Sequence, residues 1–96
     1  MNVDLDPDFL KKLKKLDVRV RKSFKERIST FQKNPNEPQL NDHELREPYK
    51  GLRSIDITSD YRAIYEEVTL GEDTIAYFFL LGTHDELYKL KKKYIQ

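Results

Sequence analysis

The 96-residue sequence contains no cysteine and no long apolar run. Without cysteine the chain can form no disulfide framework, no thiolate zinc site and no cysteine nucleophile. No segment approaches the roughly 18 apolar residues of a membrane span. The acidic start MNVDLDPDFL lacks the apolar stretch of a secretory signal. We therefore expect a cytoplasmic protein with no membrane contact.

Histidine is also scarce, because His43 and His84 are the only two in the chain. Two histidines at a non-helical spacing, with no cysteine, argue against a metal site. We expect neither a metal nor any other cofactor. The length suits a single domain over residues 1–96, and an apolar content of 38% is enough for one core.

The net charge of +1 is unevenly distributed along the chain. Residues 1–33 hold ten Lys/Arg and five Asp/Glu, a net charge of +5. Residues 34–88 hold four Lys/Arg and twelve Asp/Glu, a net charge of −8, and four lysines follow in residues 89–96. Basic charge thus lies at both ends, and the acidic middle predicts poor unassisted binding of RNA.

Two helices are predicted near the N-terminus, after a short strand over residues 2–5. Asp6 resembles an N-cap before a proline at the first helical position, and Asp17 could cap the second helix. Apolar residues follow at helical spacing: Phe9, Leu10, Leu13 and Leu16, then Val20, Phe24, Ile28 and Phe31. Asn34-Pro35 ends the second helix. Two helices joined this closely are predicted to form an antiparallel hairpin.

The rest of the chain reads as a polar loop followed by strands. The loop runs from Asn34 to Tyr49. Strands are predicted over 52–57, 61–68 and 75–81, with a hairpin loop at 69–74, and a short turn or helix precedes the tail 89–96. The run 75–81 is apolar on both faces and is expected to be central. The predicted class is α+β, with an N-terminal helical hairpin packed on one face of a small, mainly antiparallel sheet.

Strand alternation predicts which polar side chains share the face opposite the helices. Ile55 and Ile57 should point at the helices, which turns Asp56 to the open face. Arg62 is expected on the same open side. His84 follows the end of the apolar strand, where a rigid element would hold an acid/base group at a surface cleft.

Four segments in this order resemble the RelE/ParE toxin superfamily, closest to its YafQ-like branch. They are His43, 49-YKGLRSIDI-57, 60-DYRAIYEEV-68 and 82-GTHDELY-88. The resemblance implies a RelE-like toxin of a type II toxin–antitoxin system. It further implies a ribosome-dependent, metal-independent endoribonuclease in which the ribose 2′-hydroxyl attacks the adjacent phosphate. The implied partners are a cognate antitoxin, the ribosome and mRNA, with the toxin a monomer within its antitoxin complex.

The same resemblance assigns roles to individual residues. His84 matches the main acid/base histidine, Asp60 its acidic partner, and Arg62 an arginine that stabilises phosphate charge. His43 aligns with an upstream catalytic histidine. Five further positions match substrate-binding residues: Tyr88, Tyr61, Lys50, Arg53 and Asp56. Tyr88 is the aromatic residue that can stack on a base.

Two positions depart from the YafQ-like pattern. Asp56 stands where that pattern has a histidine, and Leu80 stands where it has an arginine. Both changes make the site less favourable for phosphate.

Structural roles remain open for several of these residues. His84 could cap the last helix, Asp60 could cap the turn after Thr58, and Tyr88 could cover a sheet edge. Arg62 could pair with Asp56 across strands. His43 could be a surface residue of its loop.

Two other functions also remain open. One is a ParE-like inhibitor of DNA gyrase on the same fold, without nuclease activity. The other is a degenerate toxin that retains only antitoxin binding. His84 favours the nuclease, because ParE-type chains generally lack that histidine.

Overall fold

A five-stranded sheet carries two helices on one face, and a third helix follows the last strand. The computed structural model describes residues 1–47 and 49–94, with side chains as far as Lys89. In chain order the elements are β1 (Asn2–Leu5), α1 (Pro7–Lys15), α2 (Val18–Lys33), a 3₁₀ helix (Pro38–Leu40), β2 (His43–Glu44), β3 (Arg53–Asp56), β4 (Tyr61–Leu70), β5 (Asp73–Thr83) and α3 (His84–Tyr94). The predicted α+β class is confirmed.

The strand order is β1-β5-β4-β3-β2. β1 runs parallel to β5, and every other neighbouring pair is antiparallel. The apolar run 75–81 therefore lies in an interior strand with a partner on each side, although β4 is the middle strand of the five. Within the described part of the chain, no helix combines the length and hydropathy needed to cross a membrane.

Aspartate caps start both N-terminal helices where the sequence predicts them. The Asp6 carboxylate accepts hydrogen bonds from the backbone N–H groups of Asp8 (2.9 Å) and Phe9 (3.4 Å). The Asp17 carboxylate accepts one from the N–H of Arg19 at 2.7 Å. Each cap satisfies backbone donors that have no partner within the helix.

Aromatic rings from the two helices and from the face of the sheet beneath them form the centre of the core. Phe9 of α1 and Phe31 of α2 contact Phe78 of β5, with ring centroids 6.1 and 5.5 Å apart. Tyr65 of β4 lies 4.9 Å from the same ring. Phe31 and Phe78 have no exposed surface. Since α1 and α2 both pack on this part of β5, the opposite face of the sheet is left open.

An irregularity in β5 shifts the phase of its side chains. Tyr65 pairs with Phe78 and Ile64 with Leu80, so Phe79 is the extra residue of a β-bulge. Phe79 is only half-buried and stacks on Tyr77, with ring centroids 6.4 Å apart. The run 75–81 is therefore enclosed on its core face alone.

Two connections differ from the sequence prediction. The predicted loop 34–49 contains the 3₁₀ helix, whose Leu40 is fully buried, and the short edge strand β2. The predicted loop 69–74 shortens to Gly71 and Glu72, because Leu70 still pairs with Asp73. Gly71 has a φ of 64°, which a tight two-residue hairpin turn requires and glycine adopts without strain.

The end of the chain is more helical than the sequence predicts. α3 extends to Tyr94, so most of the expected tail 89–96 belongs to a helix of 11 residues. Residues 95–96 lie outside the described part of the chain.

A third bond to the Asp6 carboxylate ties the start of α1 to the open face of the sheet. The Tyr77 hydroxyl of β5 donates to the Asp6 carboxylate at 2.5 Å. This bond is the main reason why the pKa of Asp6 lies below its ordinary value. The same bond, together with burial and nearby carboxylates, raises the pKa of Tyr77 to about 12.

Replacing Tyr77 with phenylalanine should reduce the sensitivity of the fold to acid. The folded-state pKa of Asp6 is depressed, so Asp6 stabilises the fold above its ordinary pKa of 3.8 and loses this contribution as pH falls through the lower folded value. Below about pH 4, the melting temperature of wild type should therefore fall more steeply than that of Tyr77→Phe. Tyr61→Phe is the control, since its hydroxyl has no such bond to Asp6. Parallel melting curves for wild type and Tyr77→Phe would refute this role.

Candidate active site

The junction of β5 and α3 is built around a capping box. The Glu86 N–H donates to Thr83 Oγ1 at 3.1 Å, and the Thr83 N–H donates to Glu86 Oε1 at 2.9 Å. The bond from the Thr83 amide, with help from Lys12, lowers the pKa of Glu86 despite partial burial. Thr83 and Glu86 thus cap the helix, and His84 does not. The side chain of His84 is 78% exposed.

Gly82 is the next-to-last residue of β5, and two side chains cross over it. Lys12 of α1 reaches Glu86 of α3, with Nζ and Oε2 3.1 Å apart. A Cβ on Gly82 would lie 3.2 Å from Lys12 Nζ and 3.3 Å from Glu86 Cβ, tighter than ordinary packing. Glycine therefore leaves room for the contact between α1 and α3 at the base of His84.

A cleft of about 210 Å³ opens beside this junction. Buried Ser54, Ile64 and Leu87 lie at its base. The other lining residues are His43, Leu45, Arg46, Tyr49, Arg62, His84 and Tyr88. The cleft thus lies between the open face of the sheet, α3 and a side formed by Leu45, Arg46 and Tyr49.

Four residues that the sequence assigns to a site line this cleft: His43, Arg62, His84 and Tyr88. They come from β2, β4 and α3, so the fold brings together residues that are distant in sequence. His43 lies in strand β2 and pairs with Ser54, contrary to the predicted loop. Its Nδ1 is 2.7 Å from the carbonyl oxygen of Asn41, which can only accept. Nδ1 therefore carries a proton, and Nε2 holds the lone pair when the ring is neutral.

Arg62 has a structural contact in addition to its place in the cleft. Its Nε is 2.8 Å from Asp56 Oδ1 across the β3–β4 pair. That oxygen is buried, and the contact lacks hydrogen-bond geometry, so charge attraction holds the pair. Arg62 Nη1 donates to the carbonyl oxygens of Thr58 and Ser59, each at 3.1 Å. The cross-strand pair that the sequence left open as an alternative is present.

Asp60 and Tyr61 lie outside the cleft. Both line a second cavity of about 330 Å³ on the side of α2. Their backbone N–H groups donate to Thr58 Oγ1, at 3.2 and 3.0 Å, which fixes the turn before β4. Asp60 contacts His84 through the backbone, since its carbonyl oxygen accepts from the His84 N–H at 3.2 Å. The structure therefore does not bring the Asp60 carboxylate into the cleft with His84.

Arg53 also faces away from the cleft. Its Nε donates to Asp42 Oδ1 at 2.9 Å, and the Tyr65 hydroxyl donates to Asp42 Oδ2 at 2.6 Å. Burial, and then the Asp42 bond, raises the pKa of Tyr65 well above its ordinary value. Asp42 follows the 3₁₀ helix, so these bonds join that part of the chain to β3 and β4. They do so on the core side of the sheet, where Tyr65 packs against Phe78.

Lys50, Asp56 and Leu80 are not among the lining residues of the cleft. Lys50 is exposed in the turn before β3. Leu80 pairs with Ile64 on the open face, so the departure at Leu80 lies beside the cleft and not within it.

The cleft is more basic than the charge of the middle segment implies. Its described lining includes Arg46 and Arg62 but neither Asp nor Glu. Four exposed acidic residues lie instead toward the turn of the β4–β5 hairpin: Glu66, Glu67, Glu72 and Asp73. Two other acidic side chains touch lining residues from outside the cleft: Asp56 Oδ1 lies 2.8 Å from Arg62 Nε, and Asp85 Oδ1 lies 3.8 Å from His84 Nδ1. The acidic charge of the middle segment is therefore displaced from the site only in part.

Sequence reasoning missed the segment that closes one side of the cleft. Leu45, Arg46 and Tyr49 all line it. The Tyr49 hydroxyl donates to the carbonyl oxygen of Leu87 at 3.2 Å, which joins this segment to α3. The available signal was position, because Leu45 and Arg46 lie between His43 and the YKG motif, and Tyr49 is the first residue of that motif.

A family model of the ParE toxin of the type II toxin–antitoxin system parDE matches residues 3–88. The chain belongs to this toxin family. The match spans β1 to the first residues of α3, so it includes every element that lines the cleft.

Solved structures of similar proteins agree with this assignment. YafQ from E. coli strain BL21(DE3) has a TM-score of 0.71 and 24% identity, covering 91% of this chain and 97% of that one. The conserved hypothetical protein HP0894 from Helicobacter pylori has a TM-score of 0.59 and 31% identity, over 91% and 98%. The E. coli DinJ–YafQ complex gives a TM-score of 0.59 and 23% identity, over 91% and 97%. A comparison with curated proteins finds no match. The resemblance to the RelE/ParE superfamily, with YafQ-like relatives, is confirmed.

Proposed function

We propose that this toxin is a ribosome-dependent, metal-independent endoribonuclease that cuts mRNA in the cytoplasm. The observation that carries the proposal is the cleft itself, which gathers two histidines, two arginines and an exposed tyrosine. RNA cleavage by its own 2′-hydroxyl needs a base, an acid and cations, and these side chains supply all three.

The proposed reaction uses one histidine for each proton transfer. His43 takes the proton of the 2′-hydroxyl at Nε2, since its Nδ1 is held by Asn41. The 2′-oxygen then bonds to phosphorus, and the bond from phosphorus to the 5′-oxygen breaks. His84 in its protonated form delivers a proton to that departing oxygen. The products are a 2′,3′-cyclic phosphate and a 5′-hydroxyl.

Arg62 and Tyr88 act on the substrate and not on the proton. Arg62 lines the cleft and can stabilise charge on the phosphate. Tyr88 is 48% exposed on α3, one helical turn beyond His84, where its ring can stack on a base. The ribosome holds the mRNA in position. Correct positioning is the main requirement when the 2′-hydroxyl attacks a phosphate of the same RNA molecule.

Mapping of cut sites tests the proposal directly. The chain is produced in cells whose translation is active, and the 5′-hydroxyl ends of mRNA are sequenced. Cuts should fall within translated codons and should disappear from the same mRNA when its start codon is removed. Intact mRNA in growth-arrested cells would rule out the nuclease, and equally fast cleavage of free RNA would rule out the need for a ribosome.

Inhibition of DNA gyrase is a second candidate, favoured by the match to the ParE model. A supercoiling assay with purified gyrase separates the two functions. Inhibition that persists in His84→Ala, with mRNA left intact, would support the gyrase function.

A cognate antitoxin is the proposed protein partner, with one toxin monomer in each toxin–antitoxin unit. The DinJ–YafQ complex is a solved example among the similar structures. α1 presents exposed lysines at 11, 14 and 15, and these would attract an acidic segment. Lys12 is set apart by its ion pair with Glu86.

Reversing Lys11, Lys14 and Lys15 to glutamate should slow antitoxin association by about tenfold or more at low ionic strength. The reason is loss of long-range attraction, which salt also screens. The control reverses Lys22, Lys25 and Lys33 of α2, which gives the same change in net charge on another exposed helix. Stopped-flow association at several salt concentrations measures both. Rates that respond to neither salt nor the α1 reversals would show that α1 is scaffold only.

A further inference from the structure

We propose that Arg46 binds a phosphate of the RNA backbone in the cleft. This inference rests on the proposed function, because it concerns the same site and the same class of substrate. Neither the sequence motifs nor the family match assigns a role to this residue. Three features of Arg46 carry the proposal: its uncompensated charge, its anchored backbone and its place in the lining.

The first feature is charge. Arg62 is balanced by Asp56 at 2.8 Å and uses Nη1 for backbone carbonyls. Arg46 is exposed, and no described carboxylate forms an ion pair with it. Since no described Asp or Glu lines the cleft, Arg46 contributes most of its net positive charge. An anion that enters is attracted first to this guanidinium.

The second feature is the backbone around Arg46. The Leu45 N–H donates to the Leu52 carbonyl oxygen at 2.9 Å, and the Tyr49 N–H donates to the Arg46 carbonyl oxygen at 2.9 Å. The Tyr49 hydroxyl then bonds to Leu87 of α3. The Arg46 backbone is therefore anchored on both sides, so binding a ligand need not order this segment first.

The third feature is the chemistry of the guanidinium in this position. An arginine presents parallel N–H groups that match two oxygens of a phosphate. Arg46 lines the cleft together with both histidines and Tyr88. A phosphodiester held there by Arg46 lies in the space that the two proton-transfer groups share.

The test measures binding without cleavage. The probe is a trinucleotide with 2′-O-methyl riboses, which cannot react, titrated into the protein and followed by NMR at several salt concentrations. Arg46→Gln should weaken binding by about tenfold, the loss of one charge-assisted contact. It should also lower the slope of log affinity against log salt by about 0.7. Arg46→Lys should keep the slope and lose only part of the affinity, because it keeps the charge without the paired donors.

Two controls isolate the phosphate contact. Arg21→Gln removes the same charge from an exposed arginine of α2 outside the cleft, and should leave affinity unchanged. A probe with neutral methylphosphonate linkages should bind wild type and Arg46→Gln equally.

The outcomes separate this inference from the proposed nuclease. If wild type cuts translated mRNA and Arg46→Gln binds the charged probe with the affinity and salt slope of wild type, Arg46 has no phosphate role. A probe that does not bind wild type at low salt would overturn the inference as well. If Arg46→Gln weakens binding as expected while mRNA stays intact, Arg46 binds phosphate and the nuclease proposal fails alone.

Discussion

Replacing His84 with alanine should lower single-turnover cleavage of ribosome-bound mRNA by about 10²–10⁴-fold. The imidazole is exposed at the start of α3 and lines the cleft, so its removal takes away the proposed proton transfer and few packing contacts. The backbone bond from the His84 N–H to Asp60 is retained. The cap of α3 is also retained, because Thr83 and Glu86 form it. The melting temperature should therefore stay close to that of wild type.

Thr83→Ala is the matched comparison for this variant. It breaks the side-chain half of the capping box beside the same histidine, while the imidazole remains. This variant should lose thermal stability, as loss of an N-cap does, and should keep far more activity than His84→Ala. Undiminished cleavage and growth arrest in His84→Ala would show that the histidine is a junction residue without chemistry.

Replacing Phe78 with alanine should lower the free energy of unfolding by about 3–5 kcal/mol. Phe78 has no exposed surface, and its ring meets Phe9, Phe31 and Tyr65, so truncation leaves a cavity where both layers join. Urea denaturation of wild type and variant measures the difference. The change also tests the position of the bulge, because that irregularity decides which phenylalanine faces the core.

Phe79→Ala, at the next residue, is the matched control. Phe79 is half-buried on the open face and stacks on Tyr77, so the same truncation should cost clearly less. If Phe78→Ala does not fold, Phe78→Leu replaces it and should still lose more stability than Phe79→Ala. Equal losses at 78 and 79 would mean that the strand is enclosed on both faces.

The elements governed by local chemistry could be predicted from the sequence. Asp6 and Asp17 cap helices because a carboxylate satisfies nearby N–H groups, whatever the rest of the fold does. Alternation placed Asp56 and Arg62 on the open face, since β3 is regular and the phase of β4 is unbroken from 61 to 64. The family motifs singled out His43 of β2 and His84 at the start of α3, and both residues line the cleft.

The features that depend on distant contacts could not be predicted. β2 forms because His43 and Glu44 pair with Ser54 and Arg53 of β3. A strand of two residues is too short to show the alternation by which strands are predicted. The bulge at Phe79 cannot be recognised in the sequence, because the residues on both sides of it are apolar and show no change of alternation. Asp60 was assigned by motif, but the direction of its side chain depends on the Thr58 turn. Arg46 has no signal beyond its position between two motifs, because its proposed importance comes from the charges that surround the cleft.

The pairing of β1 with β5 sets the order of events during biosynthesis. Asn2 pairs with Ile75, so the first strand has no partner until most of the chain has been synthesised. The apolar faces of α1 and α2 also remain without their contact to Phe78 until β5 has been synthesised. A nascent chain that stops before β5 cannot build this core, and His84 follows that strand directly. We therefore expect folding and toxicity to arise together, late in translation, and prematurely terminated products to be harmless to the cell that makes them.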